Sequence, residues 1–319
     1  MTKVVHTSDM RRFKKCRRMW NYASPLRAGY RPAREALYYT RGRAWHYGME
    51  RWYLDAKSPE LAFAKYFKNE VRAQLNRGAE FTAEEIKEQL EIGEAVLAMY
   101  PAWAKEHDNF EIVAVEEVRD VPLTDGIEFS YRADQVIRYR GGLWIHDFKT
   151  AKTLPDDPTF LDYDEQITGY LKALEHTYGE PVSGALFTYM LVKKPTEPQV
   201  LKKGGLSVAK KIYTTPEIYF NKLKEIGEDP RSYMDFIQQL AARCIWFKRF
   251  EIIKTRAQKD VLWETHKEVA AMMVDPDVVI YPSPMPMNCQ MCAYTAPCYI
   301  EGSGGNPINV LEAEYVKEE

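Results

Sequence analysis

The chain lacks three things, and each absence excludes a class. No apolar run in its 319 residues approaches the roughly 18–20 that a membrane-spanning helix needs. No apolar leader opens it: Met1-Thr2-Lys3 runs on into basic sequence, so no secretory signal is expected. Cysteine is scarce and odd in number, at five. With no leader, that argues against a secreted disulfide framework and for thiols, a metal or a cluster in a reducing cytoplasm. Internal repeats and long low-complexity segments are missing as well. What remains is an ordinary globular composition, 45% hydrophobic and 28% charged, which excludes a mainly disordered, collagenous or coiled-coil chain. The length suits one large domain or two small ones.

Net charge is only −2, but it is unevenly distributed. Residues 1–51 hold thirteen Lys/Arg against Asp9, Glu35 and Glu50. Residues 311–319 hold four Glu and one Lys. The basic stretch reads either as a solvated helix or as a surface facing a polyanion. Phe13, Trp20, Tyr22, Tyr30, Tyr38, Tyr39 and Trp45 are interleaved with its charges, and rings beside cations suit single-stranded nucleic acid.

Periodicity sets the coarse plan. Ser8-Asp9 reads as the cap of a helix over 10–22. A second helix is expected over 37–55 with Trp45, Met49 and Trp52 as its buried stripe, and a third over 82–107, with Pro101 a point of kinking or ending. Alternation then predicts strands over 110–118, 126–139 and 143–150, the last two joined at Gly141-Gly142. A helix over 162–178 and a strand over 182–193 follow, then a basic, turn-rich stretch over 193–211. Helices are expected over 216–226, 232–242 and 258–273, with a short strand over 246–253. This order predicts an α/β or α+β chain with a small mixed sheet flanked by helices.

Asp147-Phe148-Lys149 is the sharpest chemical candidate. Asp-x-Lys alone is weak, since Asp55-Ala56-Lys57 repeats it and Glu85-Ile86-Lys87 resembles it, both in helical patterns. On a strand, however, Asp147 and Lys149 share a face with Leu143 and Ile145, and charge entering an apolar row needs a reason. The hairpin brings Asp134 beside Asp147. Two carboxylates and a lysine suit a Mg²⁺ or Mn²⁺ site with a cation beside an attacking water; the plainer reading is a surface hairpin with ordinary ion pairs. His46 could complete a metal site. Gln166 and Tyr170, at i and i+4, share a helix face and could meet a phosphate or orient the lysine.

Cys289-Gln290-Met291-Cys292, with Cys298 five residues on, is a ligand pattern in a proline-flanked segment. Cys16 is the natural fourth member, and Cys244 reads as a core residue. A metal on Cys16, Cys289, Cys292 and Cys298 would tie the two ends of the chain together. Four thiolates fit zinc or an iron–sulfur cluster; the single knuckle favours the cluster.

Taken jointly, the pieces resemble a PD-(D/E)XK nuclease of the RecB type, with the iron–sulfur staple of the AddB nuclease domain and the CRISPR-adaptation (Cas-four) exonucleases. The likeness rests on Ser8 and Cys16 in the opening helix, Gly42-Arg43-Ala44-Trp45-His46, and Asp134 followed by Asp147-Phe148-Lys149-Thr150. It continues through Gln166-Ile167-Thr168-Gly169-Tyr170 to Cys289, Cys292 and Cys298. Residues 202–216 resemble an insertion of phage-encoded members. Two departures are Ala133, where the superfamily name has proline, and Asp147, where some members have Glu.

The resemblance implies one nuclease domain over 1–300 with a restriction-endonuclease-like core. Its parts would be a helical section (1–108), the sheet with the active site (109–193), a helical section with the basic insertion (194–280) and the cysteine segment (281–300). An acidic tail (301–319) follows. It implies His46, Asp134, Asp147 and the Phe148 carbonyl as metal ligands, with Glu116 or Glu117 in support. Lys149 would position the water, and Gln166 and Tyr170 would support Lys149 and the DNA backbone. A structural [4Fe–4S] cluster on Cys16, Cys289, Cys292 and Cys298 completes the set. The expected activity is metal-dependent DNA exonuclease action, with Mg²⁺ or Mn²⁺, at single-stranded ends. Its setting would be recombination, repair or phage DNA metabolism in the host cytoplasm, beside a helicase or a recombinase or annealing protein. The alternatives are a non-cleaving DNA-binding recombination accessory and a zinc-dependent structural protein.

Overall fold

The period changes from about 3.6 to 2 after residue 108, and there the central sheet begins. The computed structural model describes residues 2–209 and 212–317. Met1, Lys210 and Lys211 of the basic insertion, and Glu318 and Glu319 of the acidic end lie outside the described residues.

The N-terminal part holds β1 (Lys3–His6), α1 (Thr7–Lys15), α2 (Arg17–Ala23), β2 (Tyr30–Pro32), α3 (Leu37–Asp55), α4 (Pro59–Asn76) and α5 (Ala83–His107). The middle holds β3 (Glu111–Thr124), β4 (Ile127–Tyr139), β5 (Gly142–Ala151), α6 (Glu165–Tyr178) and β6 (Val182–Leu191). The remainder comprises α7 (Pro216–Glu225), α8 (Met234–Ala242), β7 (Phe247–Ile253), α9 (Arg256–Val274), α10 (Pro286–Gln290), α11 (Thr295–Gly302), α12 (Ile308–Glu314) and β8 (Tyr315–Lys317).

The sheet is mixed, as expected. β4 pairs antiparallel with β3 and β5, β5 parallel with β6, and β6 antiparallel with β7. β1 pairs parallel with the start of β4, from Lys3↔Ile127 to His6↔Ser130. Residues of α1, α6 and α9, among them Met10, Leu171 and Trp263, pack with Phe129, Ile145 and Phe187 of the sheet. Those of α3, α4 and α5, among them Trp45, Phe63 and Tyr100, pack with Phe148, Met190 and Phe247. Each fully buried side chain of this size contributes about 1.5–3 kcal/mol through loss of apolar surface to water. Among the described residues, no helix is long and apolar enough to cross a membrane.

Several expectations are corrected by packing. The helix expected over 10–22 is broken at Cys16, whose φ and ψ of −166° and 113° are extended; α1 starts at Thr7, so Ser8 lies inside it and caps nothing. α4 was not anticipated, although Ser58 caps it, Pro59 opens it and Phe63, Phe67 and Val71 form its buried stripe. Helix α5 does not end at Pro101 but continues to His107. The hairpin turn is Arg140-Gly141, both at positive φ (50° and 75°), and Gly142 is already in β5. Gly142 serves a different need: a Cβ there would lie 2.6 Å from Ser183 Oγ on the neighbouring strand. The helix expected from 162 begins as a 3-10 turn, Thr159–Tyr163, before Asp164 caps α6 by accepting the Ile167 N–H at 3.0 Å.

The basic, aromatic N-terminal stretch is also corrected. Phe13, Trp20, Tyr22, Tyr30 and Trp45 are core residues; only Tyr38 and Tyr39 of that set are exposed. Many of its cations are engaged within the protein, among them Arg11 with Asp164, Lys14 with Glu165, Arg18 with Glu301 and Arg43 with Glu35.

Candidate metal centre and cysteine site

β4 has two partners along one edge, and they do not meet. β1 ends opposite Ser130, while the ladder with β5 begins at Gln135↔His146. Continuing that register sets Asp134 against Asp147, at the point where backbone pairing stops. The Phe148 N–H bonds instead to Asp134 Oδ2, at 2.8 Å. On the other edge, Glu116 lies between the pairs Val115↔Gln135 and Glu117↔Ala133, opposite Asp134. Its φ of 51° is uncommon for a non-glycine residue and marks a strained, irregular step in β3. Ala133 and Val136 enter the same core, so strict two-residue alternation also fails in β4 between them.

α3 supplies the remaining group. His46 Nδ1 stands 3.2 Å from Asp134 Oδ1. His46, Glu116 and Asp134 each offer a ligand atom within 4.8 Å of the others. Gly42, one turn before His46, has open space where a Cβ would stand. Glu117 points elsewhere, accepting from the Tyr178 hydroxyl at 2.9 Å. The sequence offered Glu116 and Glu117 equally, and only the left-handed step singles out Glu116.

Lys149 Nζ lies 3.0 Å from Asp147 Oδ1 and 2.8 Å from Oδ2. Only the first contact has hydrogen-bond geometry, which leaves Oδ2 a buried carboxylate oxygen without a hydrogen-bond partner. The ammonium meets its charge, but a buried carboxylate oxygen that accepts no hydrogen bond still gains from a further cation or donor. Gln166 Nε2 donates to the Tyr170 hydroxyl at 3.2 Å. That hydroxyl also lies against the Arg132 backbone N–H, in the gap between β1 and β5.

The charges are strongly interdependent. Burial pushes the Asp147 carboxyl up to about 6, with Lys149 opposing the rise and Asp134 adding to it. Burial also acts upward on Asp134, but the His46 ring and the Phe148 N–H outweigh it and hold that carboxyl below the usual range. Asp134 in turn raises His46 to about 9, against burial. Burial lowers Lys149, but Asp147 overcomes it, so the ammonium stays charged. Glu116 is raised by burial and by Asp134. Imidazole and carboxylate oxygens are donors suited to a divalent metal ion, and Asp147 Oδ2, which accepts no hydrogen bond, fits that reading.

At the far end of the chain, β8 pairs with β2 from Tyr30↔Lys317 to Pro32↔Tyr315. Tyr22, Tyr30, Tyr294, Leu311 and Tyr315 form a small core that Cys292 and Cys298 pack against. The extended break at Cys16 turns that residue toward the C-terminal segment, where the Ser283 N–H meets its sulfur at 3.4 Å. The Tyr294 N–H meets Cys292 Sγ at the same distance. Burial raises the Cys292 thiol, and Cys16, Cys298 and Cys289 lie near enough to raise it further. All four are free thiols. Convergent thiols from both chain ends, two accepting backbone N–H groups, fit a cysteine-ligated metal or cluster. Cys244 is exposed and lies outside this group.

A mixed sheet between helical layers, opened at a carboxylate–lysine–histidine cluster, is the frame of a metal-dependent nuclease. The family model for the PD-(D/E)XK nuclease superfamily matches residues 7–299, and the chain belongs to that superfamily, whose members use divalent metals. No curated protein matches it. Among solved structures, a "Putative exonuclease" from Eubacterium rectale is similar at 10% identity and TM-score 0.41, over 91% of this chain and 94% of that one. SSO0001 is similar at 12% identity and TM-score 0.35, over 92% and 85%. Neither is near enough to transfer an activity.

Proposed function

We propose that the chain is a divalent-metal-dependent DNA exonuclease acting at single-stranded ends, with Asp134, Asp147 and Lys149 at its centre. The observation that supports this best is the cluster where the β4–β5 ladder stops: two carboxylates face each other, a lysine stays charged beside them, and one buried carboxylate oxygen, 2.8 Å from that lysine, accepts no hydrogen bond. His46, Glu116, Asp134, Asp147 and the Phe148 carbonyl would hold Mg²⁺ or Mn²⁺, which when bound supplies Lewis acidity toward the phosphodiester and a more acidic water. Lys149 orients the attacking water and stabilises charge that builds on the phosphate oxygens. Gln166 and Tyr170 support Lys149 and the DNA backbone. Asp134 fixes His46 in orientation through the 3.2 Å contact.

Cys16, Cys289, Cys292 and Cys298 hold a structural [4Fe–4S] cluster in this proposal, supported by their convergence and by the donors to sulfur. One domain spans residues 1–300. The likeness to phage-encoded members extends the reading to recombination or repair in the host cytoplasm, beside a helicase or an annealing protein.

The test is degradation of end-labelled linear and circular single-stranded DNA with Mg²⁺ or Mn²⁺, with Lys149→Ala alongside. Loss of linear DNA only, and only with Lys149 intact, is expected; the label position gives the polarity. No cleavage by folded, metal-supplied protein would remove the enzyme reading.

A further inference from the structure

The gap between β1 and β5 opens into a cavity of about 380 Å³ beside the proposed metal centre. Thr7, Ser8 and Arg11 of α1 line one side, Arg132 of β4 another, and Gln166 and Tyr170 of α6 a third. Helix α1 begins at this cavity, and its cap residue His6 makes no side-chain hydrogen bond to the first-turn N–H groups. Such a terminus carries partial positive charge and unsatisfied donors. Thr7, 2% exposed, has no hydrogen-bond partner for its Oγ1.

The acids nearby are already engaged. Asp9, in the first turn, faces inward: its Oδ2 accepts from Trp20 Nε1 and Ser24 Oγ, while its buried Oδ1 accepts no hydrogen bond and lies 3.9 Å from the Arg12 guanidinium. Asp164 meets Arg11 at 3.2 Å, and Glu116 accepts Arg132 Nε at 2.6 Å. Each of those contacts uses one of five guanidinium donors, and both side chains are largely open to solvent. Two guanidinium groups, a serine hydroxyl and a helix N-terminus meeting in one recess match a phosphate group.

We propose that this cavity seats a phosphate of the substrate strand other than the one being cleaved, so that the strand is held at a fixed distance from Asp147 and Lys149. The proposal rests on the nuclease reading above. The same chemistry is offered by a terminal phosphate monoester and by a neighbouring phosphodiester, and the test separates them.

Oligonucleotides of one sequence, bearing a 5′-phosphate, a 3′-phosphate or hydroxyls at both ends, are titrated by fluorescence anisotropy in buffer without divalent metal. Wild-type protein, Arg11→Gln and Ser8→Ala are compared, with thermal melting to confirm folding. Losing one charge-assisted contact predicts about a tenfold or larger loss of affinity in Arg11→Gln. A terminal seat shows as tighter wild-type binding of one phosphorylated end, an advantage lost in Arg11→Gln. A diester seat shows as an equal loss for all three strands. Ser8→Ala removes an exposed hydroxyl and reads the same cavity through a smaller loss, even where Arg11→Gln fails to fold because Asp164 is stripped of its partner. Wild-type affinity for all three strands in folded Arg11→Gln and in Ser8→Ala would overturn the proposal. Binding needs no cleavage, so this inference can fail while the nuclease activity stands, and the reverse.

Discussion

Replacing Lys149 by alanine separates chemistry from folding in this protein. Among the described residues its ammonium is the one cation in hydrogen-bond contact with Asp147, at 3.0 Å from Oδ1, and 30% of its side chain is exposed, so it can also reach a substrate phosphate. Removing a donor aimed at transition-state charge costs about 10²–10³ in rate, and loss of the oriented water adds to that. A fall in kcat of about a thousandfold is expected, with DNA affinity changed only a few-fold. Stability responds differently. Burial holds Asp147 at about 6 in the wild type, with Lys149 opposing a further rise. Without the lysine the carboxyl takes a proton instead of standing buried and charged. That escape limits the destabilisation to about 1.4 kcal/mol at pH 7, from one pH unit above the wild-type value. The sign follows from a raised acid. The variant's deficit grows as pH rises above 6 and vanishes below it, where Asp147 is protonated in both proteins. Initial rates on end-labelled linear DNA with saturating Mn²⁺, anisotropy titrations and melting between pH 6 and 8 measure all three quantities. A folded variant that retains a tenth of wild-type activity, or a stability deficit that grows toward acid, would refute the reasoning.

Other outcomes follow from the same geometry. Glu116→Gln should weaken metal activation about tenfold to a hundredfold without loss of stability, since the native carboxyl is already raised by burial; an unchanged Mn²⁺ titration would remove Glu116 from the metal set. Metal binding should release protons and tighten with rising pH, because His46 holds its proton up to about 9 and Asp147 up to about 6 in the metal-free protein. Calorimetry in buffers of different ionisation enthalpy reads that release, and pH-independent binding between 6 and 9 would contradict it. The wild type should be brown and carry iron and sulfide, and Cys289→Ser should lose them together with most soluble protein; zinc without iron in the wild type, or a stable and fully active variant, would exclude a structural [4Fe–4S] cluster.

Local rules determined much of this protein. The i, i+2 geometry of a strand put Asp147 and Lys149 on one face, and the i, i+4 geometry of a helix put Gln166 beside Tyr170, because both relations depend only on the pitch of the element. Helix α3 and the three strands that begin after residue 108 were legible from periodicity, with boundaries short by up to six residues in β3, where exposed Arg119 and Asp120 precede the buried Val121 and Leu123. The cysteine spacing singled out Cys289, Cys292 and Cys298 for the same reason, since they lie within a few turns of chain.

What sequence left open depends on distant contacts. Helix α4 packs Phe63 against Gly93 of α5, where a Cβ would stand 2.0 Å from the Phe63 ring, and a glycine in one helix gives no hint of a ring from another. The break at Cys16 has no proline or glycine to announce it; it forms where the N-terminal segment meets residues from beyond 280. Glu116 and Glu117 are chemically identical neighbours, and only the left-handed step opposite Asp134 turns one to His46 and Asp134 and the other to Tyr178. The cavity at the start of α1 exists because β1 and β5 stop pairing with β4 at different points, and strand register is settled by packing between elements far apart in the chain.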